Sequence, residues 1–259
     1  MAMKSLDSWL LILGSTNMIQ LATNKTKQEI RQMWEICFDD TEEFMDLYFS
    51  EKYRNENTLI YFIDNQAVAS LQMLPYQFTF YGEEIPVAYI SGVCTLPEFQ
   101  GRGYMGKLMI SAFDLMRERE IPLSILIPAE KWLYDYYARF GYEKVFEADK
   151  IEIPLLEILQ KSNNDLDIAY AVFDGIFRKK DFCVQKTKAD FATIVRDAEM
   201  EGFPPKTNLA GMARVIDAEK LLAIFAKKHP GKRIVFENEK DLCRQLFENQ
   251  HPIMNLMLE

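Results

Sequence analysis

The chain of 259 residues is 49% hydrophobic and 13% aromatic, a composition that excludes an intrinsically disordered protein. Its formal net charge of -9 argues against general nucleic-acid binding, because affinity for a phosphate backbone comes from Lys and Arg. An acidic surface suits a cationic partner such as an amine, but it also serves solubility alone.

The cysteine and histidine content indicates neither a metal site nor a disulfide framework. The chain has four cysteines, none of them in a CxxC pair: Cys37, Cys94, Cys183 and Cys243. The two histidines, His229 and His251, are too few for a metal cluster. We therefore expect reduced thiols, a cytoplasmic protein and no metal. No apolar run approaches the ~20 residues of a membrane span, so we expect no membrane partner, and we leave a homo-oligomeric state open.

Residues 1–17 are expected to lie outside the folded domain. Their apolar run, Trp9 to Leu13, is shorter than the roughly 7–15 residues of a secretion-signal core, and no small-residue cleavage site follows it. Met18 opens a segment that resembles the natural start of a domain. We interpret residues 1–17 as an N-terminal extension, either without fixed structure or added to the natural protein.

Hydrophobic periodicity from residue 18 onward predicts the order β-α-α-β-β-β-α-β-α-β. The predicted strands are 18–23, 58–63, 66–80, 86–95, 123–127 and 143–153. The predicted helices are one with Ile30, Met33, Trp34 and Cys37 on one face, then 41–50 with Thr41 as N-cap, 103–118 and 130–140. This order predicts an α/β fold with a mixed sheet and helices on both faces, and we assign it to a domain of residues 18–150.

Residues 151–259 are expected to form a second, smaller α/β domain. Helical spacing is present at 165–177, 188–200, 218–228 and 240–247, and residues 234–236 resemble a short strand. Asp217 is the predicted N-cap of the helix that begins near Ala218.

A glycine-rich segment, Gln100 to Gly106, follows a predicted strand and opens a predicted helix. Glycines let the backbone approach a ligand closely, and the first N–H groups of a helix lack partners inside it. Because the helix dipole is positive at that end, the segment suits a diphosphate, and Arg102 and Lys107 can add positive charge. It is neither a Rossmann nor a Walker motif, and a glycine-rich turn without a ligand remains the alternative.

The segment resembles the Gln/Arg-x-x-Gly-x-Gly/Ala motif of the GCN5-related N-acetyltransferase (GNAT) superfamily, from which it departs at Met105. The resemblance implies a splayed central sheet, with acetyl-CoA in the gap between the strand that ends at Thr95 and the strand that begins at Leu123. It also implies that the former strand pairs with the pantetheine arm. The implied cofactor-binding residues are Val93, Cys94, Thr95, Gln100, Gly101, Arg102, Gly103, Tyr104, Met105 and Gly106.

A second element, Tyr137 to Tyr142, resembles the Tyr-x-x-x-Gly-Phe/Tyr signature of the same superfamily. The resemblance implies that Tyr137 is a catalytic residue that protonates the departing thiolate of CoA. A phenol with a pKa near 10 is a reasonable acid for a thiolate whose pKa is about 8–9. The alternative is that Tyr137 packs a helix, as Tyr134 and Tyr136 could also do.

Three later segments resemble the enhanced intracellular survival (Eis-like) acetyltransferases: residues 182–187, 211–217 and 254–259. Those proteins carry a second domain of similar fold and a sterol-carrier-like C-terminal domain, which residues 151–259 are too few to build in full. Either this half is one reduced domain, or the sequence omits internal segments. The resemblance implies that the α-carboxylate of Glu259 acts as the catalytic base, held by the apolar residues 253–258. The alternative is an exposed chain end.

Acidic and aromatic side chains before and within the second predicted helix form the candidate acceptor site: Phe38, Asp39, Asp40 and Phe44. Such residues suit a cationic amine, although acidic residues also favour a helix N-terminus by themselves. We therefore expect an acetyl-CoA-dependent N-acetyltransferase that acts on a primary amine of a small molecule or a lysine. An acyl-CoA-binding sensor without catalysis and a transferase of longer acyl chains remain alternatives.

Overall fold

The helices and strands are those of a computed structural model that describes residues 17–148 and 152–258. The strands are β1 (Asn17–Leu21), β2 (Thr58–Ile63), β3 (Gln66–Phe80), β4 (Glu83–Thr95), β5 (Leu123–Leu126), β6 (Glu143–Phe146), β7 (Glu152–Ile153), β8 (Cys183–Gln185), β9 (Lys206–Thr207) and β10 (Gly211–Val215). The helices are α1 (Lys27–Cys37), α2 (Glu42–Glu51), α3 (Tyr104–Glu118), α4 (Lys131–Ala138), α5 (Leu155–Lys161), α6 (Leu166–Phe177), α7 (Lys188–Met200), α8 (Ala218–Lys228) and α9 (Glu239–Phe247).

The predicted element order is confirmed from β1 to β6, and so are two predicted helix starts. The Thr41 hydroxyl accepts a hydrogen bond from the Phe44 N–H, and the Asp217 carboxylate accepts one from the Lys220 N–H. Each satisfies a backbone donor that the helix itself cannot pair. Residues 1–16, most of the predicted extension, lie outside the described residues, while Asn17 is the first residue of β1.

One mixed sheet holds eight of the strands and confirms the predicted fold class. Its order is β1-β2-β3-β4-β5-β10-β6, and β8 pairs with the second half of β3. Within the described sheet only β4 and β5 run parallel. Helices α1, α2, α8 and α9 pack on one face and α3 and α4 on the other, while α5, α6 and α7 enclose a third core.

The second half of the chain contributes to this same sheet, because β10 lies between β5 and β6. The sequence did not predict β10, since Met212, Ala213 and Val215 are all buried and five residues show no alternation. The predicted strand at 234–236 is wrong; that segment has no regular structure. The division of the chain at residue 150 stays a prediction, and residues on both sides of it share one sheet.

Strands β4 and β5 separate soon after they begin to pair, as the resemblance implies. Their pairing runs from Val87 and Leu123 to Tyr89 and Ile125, whereas β4 continues to Thr95. The two strands therefore leave a gap beyond Tyr89.

A β-bulge lies in β4 beside this gap. The register of β3 against β4 shifts between Ser70 and Gln72, which pair with Cys94 and Ser91, so β4 holds one extra residue. Gly92 lies in the bulge with a φ of +55°, and a Cβ on it would approach the ring of Trp34 to 2.5 Å. The bulge therefore needs glycine at this position.

Among residues 17–148 and 152–258, no helix is long and apolar enough to cross a membrane. The four cysteines are free thiols, and three of them are buried.

Candidate active site

Two cavities meet at the gap between β4 and β5. The first, here called the loop cavity, has a volume of about 570 Å³ and follows the glycine-rich segment into α4. The second, the aromatic cavity, has a volume of about 510 Å³ and lies between α1, α2 and the bulge of β4. Val93, Leu133 and Tyr137 line both cavities, so a ligand in one can meet a ligand in the other at these three side chains.

The loop cavity has the features of an anion site. Gly101 and Gly103 have φ values of +73° and +79°, in the left-handed region that glycine adopts without strain. Gly103 is the N-cap of α3, so the first free N–H groups of that helix lie at the cavity wall. The Gln100 amide donates to the Thr95 carbonyl at 3.1 Å and closes the loop. Among the described lining residues there is one guanidinium, from Arg139, and no carboxylate.

Eight of the ten predicted cofactor-binding residues line the loop cavity: Val93, Thr95, Gln100, Gly101, Gly103, Tyr104, Met105 and Gly106. Cys94 does not, because neighbouring strand residues point to opposite faces, and its Sγ lies 3.2 Å from the Ser70 Oγ in the core. Arg102 does not either. Its guanidinium donates to the Glu98 carbonyl at 2.8 Å and lies over the ring of Phe99.

Sequence reasoning did not assign five of the residues that line the loop cavity to the site: Phe99, Trp132, Leu133, Tyr136 and Arg139. The Trp132 side chain lines the cavity although 59% of the residue is exposed, and Arg139 lies over the ring of Tyr136. Trp132, Tyr136 and Arg139 are four and three positions apart, which places them on one face of a helix. That spacing is the signal that could have revealed them.

Tyr137 is the side chain best placed between the two cavities. It is only 6% exposed, and its hydroxyl has no hydrogen bond to any residue that the structure describes. Burial raises the pKa of Tyr137 well above its ordinary value. The hydroxyl therefore stays protonated and free to donate to a ligand. Tyr142, by contrast, is structural, since its hydroxyl lies 2.6 Å from the buried Ser124 Oγ.

The aromatic cavity contains three of the four predicted acceptor residues, Phe38, Asp40 and Phe44. Asp39 is exposed and does not line the cavity. Trp34 also lines the wall, and its indole N–H donates to Asp40 Oδ2 at 2.6 Å. The carboxylate is thereby held at the cavity by a helix that the core fixes in place.

The C-terminal segment, residues 253–258, reaches the aromatic cavity. Its main chain pairs with β8, since the Val184 N–H donates to the Ile253 carbonyl at 2.9 Å. Met254, Leu256, Met257 and Leu258 are buried, so the alternative of an exposed chain end is wrong for these residues. Leu258 lines the cavity itself. Glu259, the predicted base, lies outside the described residues.

In the part of the chain that the structure describes, no group of three or more His, Cys, Asp or Glu side chains is arranged to hold a metal ion.

Comparison with known proteins identifies the fold that carries these cavities. Residues 18–145 match the family model of the acetyltransferase (GNAT) domain. A protein of Enterococcus faecalis described as a probable N-acyltransferase superposes on 79% of this chain and 53% of its own, with 16% identity and a TM-score of 0.56. A GCN5-related N-acetyltransferase from Kribbella flavida superposes on 79% of this chain and 72% of its own, with 16% identity and a TM-score of 0.50.

The chain thus spans about half the length of the Enterococcus protein. Eis1 from Mycobacterium abscessus matches 51% of this chain and 32% of its own at 16% identity, with a TM-score of only 0.43, so the Eis-like resemblance stays a prediction. No curated protein matches the chain. The domain model and the mixed, splayed sheet agree: residues 18–145 belong to the GNAT acetyltransferase family.

Proposed function

We propose that this protein is an acetyl-CoA-dependent N-acetyltransferase, in which a primary amine attacks the thioester directly. One observation carries the proposal: an anion-binding cavity and a cavity with a carboxylate meet at Val93, Leu133 and Tyr137. A negatively charged cofactor and a cationic acceptor would enter from opposite sides and react where the cavities join. Holding both reactants in one cleft accounts for much of the rate of such a reaction.

The residues of the loop cavity offer a suitable partner for each part of acetyl-CoA. The free N–H groups at the start of α3 and the loop of Gly101 and Gly103 would hold the diphosphate, with the guanidinium of Arg139 adding charge. The exposed ring of Trp132 offers a flat apolar surface at the rim. The edge of β4 from Val93 to Thr95, left without β5 as a neighbour, would pair with the pantetheine arm.

The chemistry at the junction needs a base, a site for the carbonyl oxygen and an acid. The amine must be neutral to attack, and we propose that the α-carboxylate of Glu259 accepts its proton, since Leu258 already lines the cavity. Backbone N–H groups of β4 near the bulge and Thr95 would polarise the thioester carbonyl. As the C–N bond forms and the C–S bond breaks, the Tyr137 hydroxyl donates its proton to the thiolate.

The proposal is tested by following thiol release from acetyl-CoA in the presence of a panel of primary amines. We expect amine-dependent release, with the acetylated amine as the second product. Binding of acetyl-CoA without turnover of any amine would contradict the proposal and favour the alternative, a sensor without catalysis. Removal of Glu259 in the same assay tests the base, because an unchanged rate would exclude it.

Gly103→Ala is expected to raise KM for acetyl-CoA about tenfold, because alanine in a left-handed conformation is strained by roughly 1–2 kcal/mol and the strain would turn the α3 N–H groups away from the diphosphate. Gly202→Ala is the matched control. Gly202 has a φ of +75° and, like Gly103, nothing within 4 Å of an added Cβ, but it lies after α7. Both variants should lose a similar free energy of unfolding in urea denaturation, but only Gly103→Ala should raise KM. An equal rise in KM for the two variants would show that the strain acts through stability and not through the diphosphate site.

We also propose an Eis-like role for the C-terminal residues and a cytoplasmic location. The buried segment 253–258 is compatible with the former, and four free thiols are typical of a reducing compartment.

A further inference from the structure

The wall of the aromatic cavity consists mainly of aromatic and aliphatic side chains. Its aromatic side chains are Trp34, Phe38, Phe44, Tyr48, Tyr89 and Tyr137. Aliphatic side chains such as Ile127, Leu133 and Leu258 complete much of the remaining surface. Among the described lining residues the single charged group is the carboxylate of Asp40. The described part of the wall therefore offers a large apolar surface and one negative charge, in addition to the proposed base Glu259.

One of the two carboxylate oxygens of Asp40 is available to a ligand. Its Oδ2 accepts the indole N–H of Trp34 at 2.6 Å, and no hydrogen bond from a described residue reaches Oδ1. The side chain is half-buried, so a cation beside it would be partly shielded from water. The Tyr48 hydroxyl of the wall is neutral and already occupied, since it donates to Gln72 Oε1 at 3.1 Å and lies 3.2 Å from the Ser91 Oγ.

From these contacts we propose that the acceptor is a small monoamine with an aromatic body, whose one ammonium group pairs with Asp40 and whose ring lies among the aromatic side chains. This inference rests on the proposed acetyltransferase function and names the acceptor class of the same site. The cavity volume of about 510 Å³ is within the usual range for a small-molecule site. Aromatic pairs add to the gain from apolar burial, and a cation over a ring is attracted to it.

The same chemistry disfavours acceptors with several charges. A second ammonium group of a polyamine would find no further carboxylate among the described lining residues, and pairing it with Glu259 would occupy the proposed base; an unpaired buried charge is strongly destabilising. A peptide would bring backbone N–H and C=O groups against rings that offer them no partner. Both classes should therefore bind less tightly than an arylalkylamine.

The test compares kcat/KM for phenethylamine, spermidine and a lysine-containing peptide, with acetyl-CoA saturating. We expect phenethylamine to exceed each of the others by at least about tenfold. Asp40→Asn should lower kcat/KM for phenethylamine by about tenfold, because a hydrogen bond to a charged group is lost while the new amide oxygen can still accept from Trp34. Asp39→Asn removes the neighbouring exposed charge outside the cavity and should change nothing.

Two results would overturn the inference while leaving the acetyltransferase function intact: faster turnover of spermidine or of the peptide, or equal kinetics of Asp40→Asn and Asp39→Asn. Failure of every amine to release thiol, with acetyl-CoA bound in a calorimetric titration, would instead reject the proposed function and the inference with it.

Discussion

Tyr137→Phe is expected to lower kcat about 100-fold while KM for acetyl-CoA changes less than about twofold. Tyr137 lines both cavities, and its hydroxyl makes no hydrogen bond to a described residue whose loss would disturb the fold. The ring remains in the variant, so packing against Tyr142 and Tyr136 is kept. The loss should therefore appear in the chemical step alone.

The pH dependence follows from the raised pKa of Tyr137. Because burial favours the neutral phenol, the hydroxyl keeps its proton at and above the ordinary tyrosine pKa near 10. We expect no alkaline fall in kcat from this residue below about pH 10, and any acid limb should be the same in Tyr137→Phe and the unmodified protein. An acid limb reports the base that accepts the amine proton.

Tyr142→Phe is the matched control for this prediction. It removes a buried hydroxyl of the same motif, the one that lies 2.6 Å from the Ser124 Oγ. We expect a loss of about 1–2 kcal/mol in the free energy of unfolding and little change in kcat. If Tyr137→Phe retained full kcat, or if the two variants lost kcat equally, Tyr137 would not be the acid.

The second large effect concerns stability. Lys186 is fully buried, with its Nζ 3.1 Å from the Met257 Sδ, 3.5 Å from the Met254 carbonyl and 4.5 Å from the centre of the Tyr76 ring. Burial lowers the pKa of Lys186 to about 7. The folded protein therefore binds fewer protons here than the unfolded chain between pH 7 and about 10.4, and this residue makes the free energy of unfolding rise with pH across that window.

Comparison with Lys186→Met isolates this effect, because methionine has a similar shape and does not titrate. From pH 7.5 to 9.5 we expect the free energy of unfolding of the unmodified protein, relative to that of the variant, to increase by about 1.4 kcal/mol per pH unit. Urea denaturation of both proteins at several pH values measures the difference. Groups that do not interact with Lys186, such as Tyr81, whose pKa burial raises, lower stability at alkaline pH equally in both proteins.

Lys188→Met, which replaces an exposed lysine two residues away, should show a difference that does not vary with pH. A pH-independent difference for Lys186→Met as well would mean that Lys186 titrates normally.

Much of the candidate site could be predicted from short stretches of sequence. The loop from Gln100 to Gly106 works through glycine conformation and free helix N–H groups, which are local properties of consecutive residues. Tyr137 lies in a local motif as well. Cys94 and Arg102 do not line the loop cavity, and the motif could not predict this: it specifies positions, whereas the direction of each side chain depends on the strand face and on the neighbours Ser70 and Phe99.

The sequence alone was sufficient for the element order from β1 to β6, the helix caps at Thr41 and Asp217 and the glycine-rich loop before α3, because hydrogen bonds, glycine conformation and apolar periodicity within a few residues specify them. Only the tertiary structure decided that β10 completes the sheet, that Trp34 orients Asp40 and that Leu258 reaches the same cavity as Tyr137. The first and the third join residues far apart in the chain, and their burial depends on which surfaces the folded sheet leaves for them to cover; the second depends on how the connection between α1 and α2 folds back on Trp34.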